Sequence, residues 1–164
     1  MIKSIIKKIP IIVRAYRYYK SLVQEKKIRK ILKLKNNQKR FVEIYNTNFW
    51  GDKKSVSGPG SNIKNTNDTI ITLKKIIHQY NIKSILDIPC GDFSWMQSVM
   101  KKSPHINYCG IDIVDDLIKK NNQIYSNLNI RFFKEDIINK SIPKSDLVIC
   151  RDFLIHLSNK DIKR

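Results

Sequence analysis

The chain has 164 residues, enough for one modest domain with a hydrophobic core, and its 32 basic and 14 acidic residues give a formal charge of +18. Three scattered cysteines (Cys90, Cys109 and Cys150) are too few for a disulfide framework or a zinc site, and their apolar neighbours predict small buried residues in a reducing compartment. The apolar runs near the N-terminus are too broken for a signal peptide or a membrane span.

The first part of the chain is strongly basic. Residues 1–40 hold 14 Lys and Arg against one acidic residue, whereas residues 41–164 hold 18 against 13. Residues 1–35 predict a helix, with Pro10 as a candidate break. Such a helix fits an anionic membrane surface, nucleic acid or packing against the domain or a protein partner, and we favour packing or a protein partner. An AT-rich genome would account for part of the charge. We therefore divide the chain into a basic helical arm (1–40) and a domain (41–164).

Two helices and a loop are predicted next. Residues 38–49 predict a helix, and the Gly- and Pro-containing segment WGDKKSVSGPGS, residues 50–61, predicts a loop. Residues 67–80 predict a second helix with Asn67 or Asp68 as its N-cap. The apolar face of that helix comprises Ile70, Leu73, Ile77 and Tyr80.

From residue 84 onward, short apolar runs alternate with polar or helical spacers. The runs are SILDI (84–88), INYCGIDI (106–113), NIRFF (129–133) and DLVIC (146–150). Such runs are typical of a parallel sheet covered on both faces, and residues 115–125 predict a crossover helix between the second and third strands. After the fourth run, Ser158 is a candidate N-cap of a last helix, with Asp161 three residues later.

Carboxylates lie at the predicted ends of three strands. Asp87 ends the first strand, and Asp92 follows it across a glycine turn. This strand–turn–helix unit is where open α/β sheets bind small molecules, and its acidity favours a cationic ligand over a pyrophosphate. Asp112 ends the second strand, where it could accept hydrogen bonds from both hydroxyls of a ribose. Asp136 follows the third, within reach of an adenine amino group. The pattern indicates a ligand with a nucleoside at one end and a cation at the other.

Each of these residues also has a structural alternative. Asp87 could bond loop amides at the strand end, and Asp112 could lie in an exposed turn. Asp136 could be a solvated loop acid, and Asp92 could cap the following helix. Core packing is the preferred role for Trp95 over stacking on a ligand.

Three segments occur in an order that resembles one protein family. WGDKKSVSGPGS, DIPCGDFSW and CRDFLIHLS resemble segments of bacterial and viral methyltransferase-domain proteins of the class I S-adenosylmethionine-dependent group. The resemblance covers the chain from roughly Tyr45 onward. The general class motif, an acid followed by three alternating glycines, is kept only at Asp87 and Gly91, since Pro89 and Phe93 replace the outer glycines.

The resemblance implies S-adenosyl-L-methionine as cofactor and methyl transfer to an unidentified small-molecule or glycan acceptor. It implies that the loop from Asp87 to Asp92 faces the methionine part of the cofactor and that Asp112 binds the ribose. The SVSGPGS segment would be part of a lid. The implied cofactor-binding residues are Asp87, Pro89, Gly91, Asp92, Asp112, Asp136 and Ile137, the last two facing adenine.

Asp152 and His156 are the candidate catalytic residues. They are four residues apart and would share a helix face if a helix begins there. Either could act as a general base for a hydroxyl acceptor. A base is optional, because the sulfonium methyl group is already activated and needs mainly in-line alignment.

The resemblance also implies an incomplete sheet. The class uses seven strands, and the four predicted here would form one half in the order 3-2-1-4. We therefore expect an α/β, Rossmann-like, partial doubly wound parallel sheet with N-terminal helices, apparently truncated at its C-terminal side. The alternative function is a non-catalytic module that binds a membrane surface or nucleic acid through residues 1–40. A nicotinamide-dependent oxidoreductase is disfavoured because the three-glycine fingerprint is absent. We expect a cytoplasmic protein, with peripheral membrane attachment as an option.

Overall fold

The computed structural model describes residues 10–163 of the chain. The helices are α1 (Pro10–Leu32), α2 (Asn37–Asn46), α3 (Ile63–Gln79), α4 (Gln97–Met100), α5 (Asp115–Tyr125) and α6 (Asn159–Ile162). The strands are β1 (Ser84–Asp87), β2 (Asn107–Asp112), β3 (Ile130–Lys134) and β4 (Leu147–Ile149). Two 3-10 turns cover Pro59–Ser61 and Leu154–His156. Residues 1–9 of the predicted arm lie outside the described residues.

The four strands form one parallel sheet in the order β3-β2-β1-β4. This arrangement confirms the predicted Rossmann-like, partial doubly wound sheet and its strand order. Asp87 pairs with Gly110 of β2 on one side and with Ile149 of β4 on the other. Asp87 and Asp112 are the last residues of their strands, so both lie at the carboxyl edge of the sheet.

An aromatic cluster anchors the turn after β1 to the main core. Phe93 is 1% exposed, and its ring centroid lies 5.0 Å from that of Tyr108 and 5.1 Å from those of Tyr125 and Phe132. Tyr108 and Phe132 project from β2 and β3, and Tyr125 ends α5. The burial of these rings fixes the turn over one face of the sheet. A smaller cluster of Leu86, Ile88 and Ile111 lies apart from this core.

The inner and edge strands differ in burial. All but the first residue of β1 are buried, and β2 is largely buried from Tyr108 onward. Phe133 of β3 and Val148 of β4 are exposed. The prediction that both faces of the sheet are covered is therefore wrong for strands β3 and β4. The reason is that β3 and β4 are the edge strands of the described sheet. Cys150 directly follows β4 and is also exposed, which corrects its predicted burial.

Helix α3 begins earlier than its sequence pattern predicts. Asn62 is the N-cap, and its side chain accepts a hydrogen bond from Lys64 N at 3.1 Å. The predicted caps Asn67 and Asp68 are therefore wrong, since both lie inside the helix. Tyr80 follows the end of the helix and is exposed, unlike the other members of the predicted face.

Other predicted elements are confirmed with small shifts. Helix α5 has the predicted bounds, and α2 ends three residues earlier than predicted. At the start of α6, Ser158 Oγ accepts from Asp161 N at 3.1 Å and donates to its carboxylate at 2.8 Å, as expected of the cap. Within residues 10–163, every helix is too short or too polar to cross a bilayer.

Candidate functional site

The turns after β1 and β2 are joined through one carboxylate. Gly91 N donates to Asp112 Oδ2 at 3.1 Å, and Val114 N donates to Asp112 Oδ1 at 3.0 Å. On the other side of the turn, the buried Asn121 donates its amide to Gly91 O at 2.8 Å. Asp112 is 8% exposed and therefore lies in a buried junction of two loops instead of an exposed turn.

Asp87 is buried beneath this junction. It is 3% exposed, and the Tyr108 hydroxyl donates to its Oδ2 at 2.7 Å. Burial raises the pKa of Asp87 to about 7, and the nearby Asp112 charge adds to the effect, while the Tyr108 hydroxyl and the Arg151 charge oppose it. The Asp87 carboxyl group is therefore shielded from water and accepts a hydrogen bond from the Tyr108 hydroxyl.

Asp112 has a similarly perturbed pKa. Burial raises it to about 6, and the Asp92 charge adds to the rise. The backbone N–H groups that Asp112 accepts from oppose this rise. Within residues 10–163, neither Asp87 nor Asp112 forms a salt bridge. The sheet edge therefore holds two neighbouring buried carboxyl groups without a paired cation.

Asp92 binds the SVSGPGS loop (residues 55–61). Val56 N donates to Asp92 Oδ2 at 2.9 Å, and Asp92 N donates to Ser57 Oγ at 3.1 Å. Ser94 N donates to Asp92 Oδ1 at 3.2 Å, while the Ser94 hydroxyl donates to Ser61 O at 3.0 Å. Asp92 is therefore not a helix cap, because α4 begins further along the chain. It instead fastens the loop across the turn after β1.

Gly91 is required where the loop crosses the turn. Its φ of +54° lies in the left-handed region, and a Cβ here would overlap the Ser57 hydroxyl oxygen. Gly58 also has a positive φ of +98°, and a Cβ there would approach Trp50 Cβ at 3.1 Å. The close packing of the loop thus explains both glycines, and the cofactor-binding role of Gly91 stays a prediction.

A cavity of about 120 Å³ opens above the two carboxyl groups. Its floor is formed by the strand ends and their turns, and its walls by α2, the SVSGPGS loop and the segment after β4. The side chains from α2 and the following turn are Phe41, Ile44, Tyr45 and Trp50. The predicted residues in this lining are Asp87, Pro89, Gly91, Asp92, Asp112, Asp152 and His156.

A second cavity of about 70 Å³ adjoins the first. Asp136 and Ile137 line it, and the side chains common to both cavities are those of Phe41, Pro89, Asp112 and Phe153. The ring centroids of Phe41 and Phe153 lie 6.3 Å apart. All seven predicted cofactor-binding residues therefore lie along two adjoining cavities, and their binding roles stay predictions.

The carboxylate of Asp136 accepts hydrogen bonds from residues of its own turn. Its carboxylate accepts from Ile138 N at 3.2 Å and from the Asn139 amide at 2.7 Å. The side chain is half-buried, so it is not the fully solvated acid of the alternative interpretation.

Asp152 and His156 do not share a helix face. Asp152 has a left-handed φ of +54°, and the 3-10 turn begins two residues later, so the expectation of a common helix is wrong. The His156 ring lies 5.1 Å from the Trp50 ring. Burial lowers the pKa of His156, and the Asp152 charge opposes this change. The lowered pKa favours the neutral imidazole, and the catalytic roles of Asp152 and His156 stay predictions.

Arg151 was not among the predicted site residues, but it lies in the wall of the first cavity. Its guanidinium lies 5.7 Å from the Trp95 ring, donates to Gly60 O at 2.8 Å and pairs with Asp152 at 3.1 Å. Trp95 itself is 6% exposed and packs in the main core, and it also lines the first cavity, so the choice of packing over ligand stacking stays a prediction. Arg151 thus joins the segment after β4 to the SVSGPGS loop.

The contribution of α2 was also missed. Phe41, Ile44 and Tyr45 have the spacing of one helix face, which is a signal for burial but does not indicate what the face packs against. The predicted domain boundary at residue 40 falls inside this helix. The division of the chain into arm and domain stays a prediction.

Residues 27–164 match the model of the O-methyltransferase domain family. No curated protein sequence matches the chain. Among solved structures, similarity is found to the plantazolicin methyltransferase BpumL in complex with SAH (24% identity, 52% of this chain, 36% of that chain, TM-score 0.42). Human N-acetylserotonin methyltransferase in complex with SAM matches at 14% identity over 58% of this chain and 31% of that chain, with a TM-score of 0.36.

Coclaurine N-methyltransferase, bound to N-methylheliamine and SAH, matches at 15% identity over 64% of this chain and 32% of that chain, with a TM-score of 0.38. The chain thus spans about a third of the length of these solved proteins. The match to the family model covers most of the sequence. The chain belongs to the O-methyltransferase domain family.

Proposed function

We propose that this domain binds S-adenosylmethionine at the carboxyl edge of its sheet and serves in methyl transfer to an acceptor oxygen. The observation that carries the proposal is the pair of buried carboxyl groups, Asp87 and Asp112, beside a cavity and without a paired cation. The family description as an O-methyltransferase domain supports oxygen as the accepting atom.

The chemistry of the cavity fits this cofactor. Burial raises the pKa of Asp87 to about 7, and the Arg151 charge opposes this rise only in part. A ligand ammonium or sulfonium group near the turn would oppose it further. Each Asp112 oxygen accepts one backbone hydrogen bond and keeps a further lone pair for a ribose hydroxyl. The second cavity, lined by Asp136 and Ile137, would take the adenine.

The residues beside the cavity would align the acceptor. The cofactor supplies an electrophilic methyl group, so positioning of the acceptor oxygen is the main task of the protein. Burial lowers the pKa of His156, which favours its neutral imidazole, and its ring lies beside that of Trp50. We propose that His156 accepts the hydroxyl proton of the acceptor and that Asp152 favours the resulting imidazolium. The acceptor is proposed only as a hydroxyl-bearing small molecule or glycan.

Calorimetry with S-adenosylhomocysteine tests the cofactor site. We expect the full chain to bind it and both Asp87→Asn and Asp112→Asn to weaken binding at least tenfold, the loss typical of a hydrogen bond to a charged group. Wild-type binding should strengthen between pH 6 and pH 8, since Asp87, with a pKa of about 7, must be ionised to compensate a cation.

Asp68→Asn is the matched control, because Asp68 is an exposed carboxylate on α3 outside both cavities. It should bind as wild type does. Circular dichroism establishes that each variant is folded. A folded wild-type chain that binds no S-adenosylhomocysteine at millimolar ligand would overturn the proposal, and so would equal binding by all four proteins.

A further inference from the structure

The N-terminal half of α1 has an exposed apolar face. Ile11 is 79% exposed, Tyr18 66% and Tyr19 64%, although large apolar side chains are ordinarily buried. The other exposed members of this face are Ile12, Tyr16, Leu22 and Val23. We refer to these seven side chains as the tyrosine face.

The tyrosine face lies on one side of the helix. At 100° per residue, its members fall within an arc of about 160°. Arg14, Arg17 and Lys20 occupy the remaining side, so this half of α1 is amphipathic. The pattern ends after Val23, where Lys26, which is exposed, falls on the same arc.

The helix is attached to the rest of the chain at its other end. Ile31 is 7% exposed, and Lys30 pairs with Glu43 of α2 at 2.7 Å. This end of α1 therefore contacts α2. The side chains of the tyrosine face are exposed and line neither of the cavities described above.

The charge on this segment identifies the kind of surface it fits. Residues 1–24 contain six Lys and Arg and no acidic residue. A helix with basic residues on one side and Ile, Leu and Tyr on the other binds in the interface of an anionic bilayer, where tyrosine rings lie at the level of the head groups. Such a helix lies in the membrane plane without crossing it.

Packing on the domain, which the sequence favoured, is not found for residues 11–23 in the part of the chain that the structure describes, because these apolar side chains are exposed. Two other occupants fit less well than a lipid surface. A nucleic acid would use the basic side but leaves the aliphatic members Ile11, Ile12 and Leu22 without a role. A second copy of α1 would cover the tyrosine face but leaves Arg14, Arg17 and Lys20, on the opposite side of the helix, without a role. We propose that residues 11–23 dock this protein on an anionic lipid surface.

Sedimentation of the full chain with vesicles tests the proposal. We expect binding to phosphatidylcholine vesicles that contain 30% phosphatidylserine, little binding to pure phosphatidylcholine, and release by 0.5 M salt. Ile12→Asn with Tyr19→Asn should reduce the partition coefficient at least tenfold, because two apolar side chains leave the interface. Replacement of Arg14, Arg17 and Lys20 by Gln should reduce it roughly fivefold for each charge removed.

Two control variants change exposed residues outside α1. Leu128→Asn changes a side chain that is 91% exposed elsewhere, and replacement of Lys101, Lys102 and Lys144 by Gln removes the same charge outside α1. Both should bind vesicles nearly as the wild type does, and circular dichroism checks that all variants are folded.

The proposal is overturned by equal binding to neutral and anionic vesicles, or by α1 variants that bind no differently from their controls. A wild-type dimer in ultracentrifugation that Tyr19→Asn dissociates would assign the tyrosine face to self-association instead. Tighter binding to an oligonucleotide than to anionic vesicles would assign it to nucleic acid. The outcome is independent of S-adenosylhomocysteine binding, since neither cavity includes a residue of α1.

Discussion

Asp87→Asn should stabilise the protein at neutral pH while weakening its proposed cofactor site. Burial raises the pKa of Asp87 to about 7. At pH 7.5 this carboxyl group is therefore largely ionised in a poorly solvated environment, and its charge opposes folding. An asparagine removes that charge and can still accept the hydrogen bond that the Tyr108 hydroxyl donates at 2.7 Å. The free energy of unfolding at pH 7.5 should therefore rise.

The magnitude follows from the difference in pKa between the folded and unfolded states. The folded pKa of about 7 exceeds the ordinary aspartate value of 3.8 by roughly three pH units, and each unit corresponds to about 1.4 kcal/mol. At pH values between these two pKa values, Asp87 is protonated in the folded state and ionised in the unfolded state. Wild-type stability therefore falls as the pH rises from about 4 to 7. After a deduction of about 1 kcal/mol for the new amide donors, Asp87→Asn should gain about 3 kcal/mol at pH 7.5.

Urea unfolding of both proteins, at intervals from pH 4.5 to 8, measures this effect. The stability difference should be near zero at pH 4.5 and grow toward pH 7. Asp112, whose pKa is raised to about 6, contributes a slope of the same sign in both proteins, and the comparison largely removes it. An Asp87→Asn variant that is less stable at pH 7.5, or a difference that does not change with pH, would refute the reasoning.

Three further predictions test individual contacts by the effect of substitutions on urea unfolding. Gly91→Ala should cost about 3 kcal/mol and Gly51→Ala about 1, because both have positive φ but only the first Cβ overlaps a neighbouring side chain; equal losses would contradict this. Asn62→Ala should cost about 1 kcal/mol and Asn67→Ala under about 0.5, since only the former caps α3; the reverse order would contradict the cap. Tyr108→Phe should be about 1 kcal/mol more destabilising at pH 8 than at pH 5, because its hydroxyl bonds more strongly to an ionised carboxyl group; a loss independent of pH would contradict that assignment.

The sheet and the turn after β1 could be predicted because their signals are local. Apolar runs ending in Asp87 and Asp112 place two carboxylates at one edge of a parallel sheet, and the structure has them there. A single glycine between two acids predicts the tight turn, which Gly91 forms with a positive φ of +54°. Helix α5 has a regular apolar pattern and acidic residues in its first turn, so even its bounds follow from the sequence.

The walls of the site could not be predicted because they depend on contacts between distant residues. Asp92 looks like a helix cap in the sequence, but its carboxylate accepts a hydrogen bond from Val56 N, in a loop that precedes α3. Burial of α2 residues such as Phe41 depends on the ring of Phe153. The local sequence pattern identifies neither partner, because hydrogen bonds and ring contacts between distant residues depend on the tertiary structure.

The two sides of the candidate site come from opposite ends of the described chain. The Asn37 amide donates to Asp161 Oδ2 at 3.3 Å, and the nearby Phe41 ring packs on Phe153. The strands at the floor of the cavities have much closer partners in sequence. During synthesis, β1 and β2 can pair while the segment after β4 is still inside the ribosome, but the cavities cannot close until that segment emerges. The capacity to hold a ligand therefore depends on contacts between residues up to 124 positions apart, and it should be acquired later in folding than the pairing of β1 with β2.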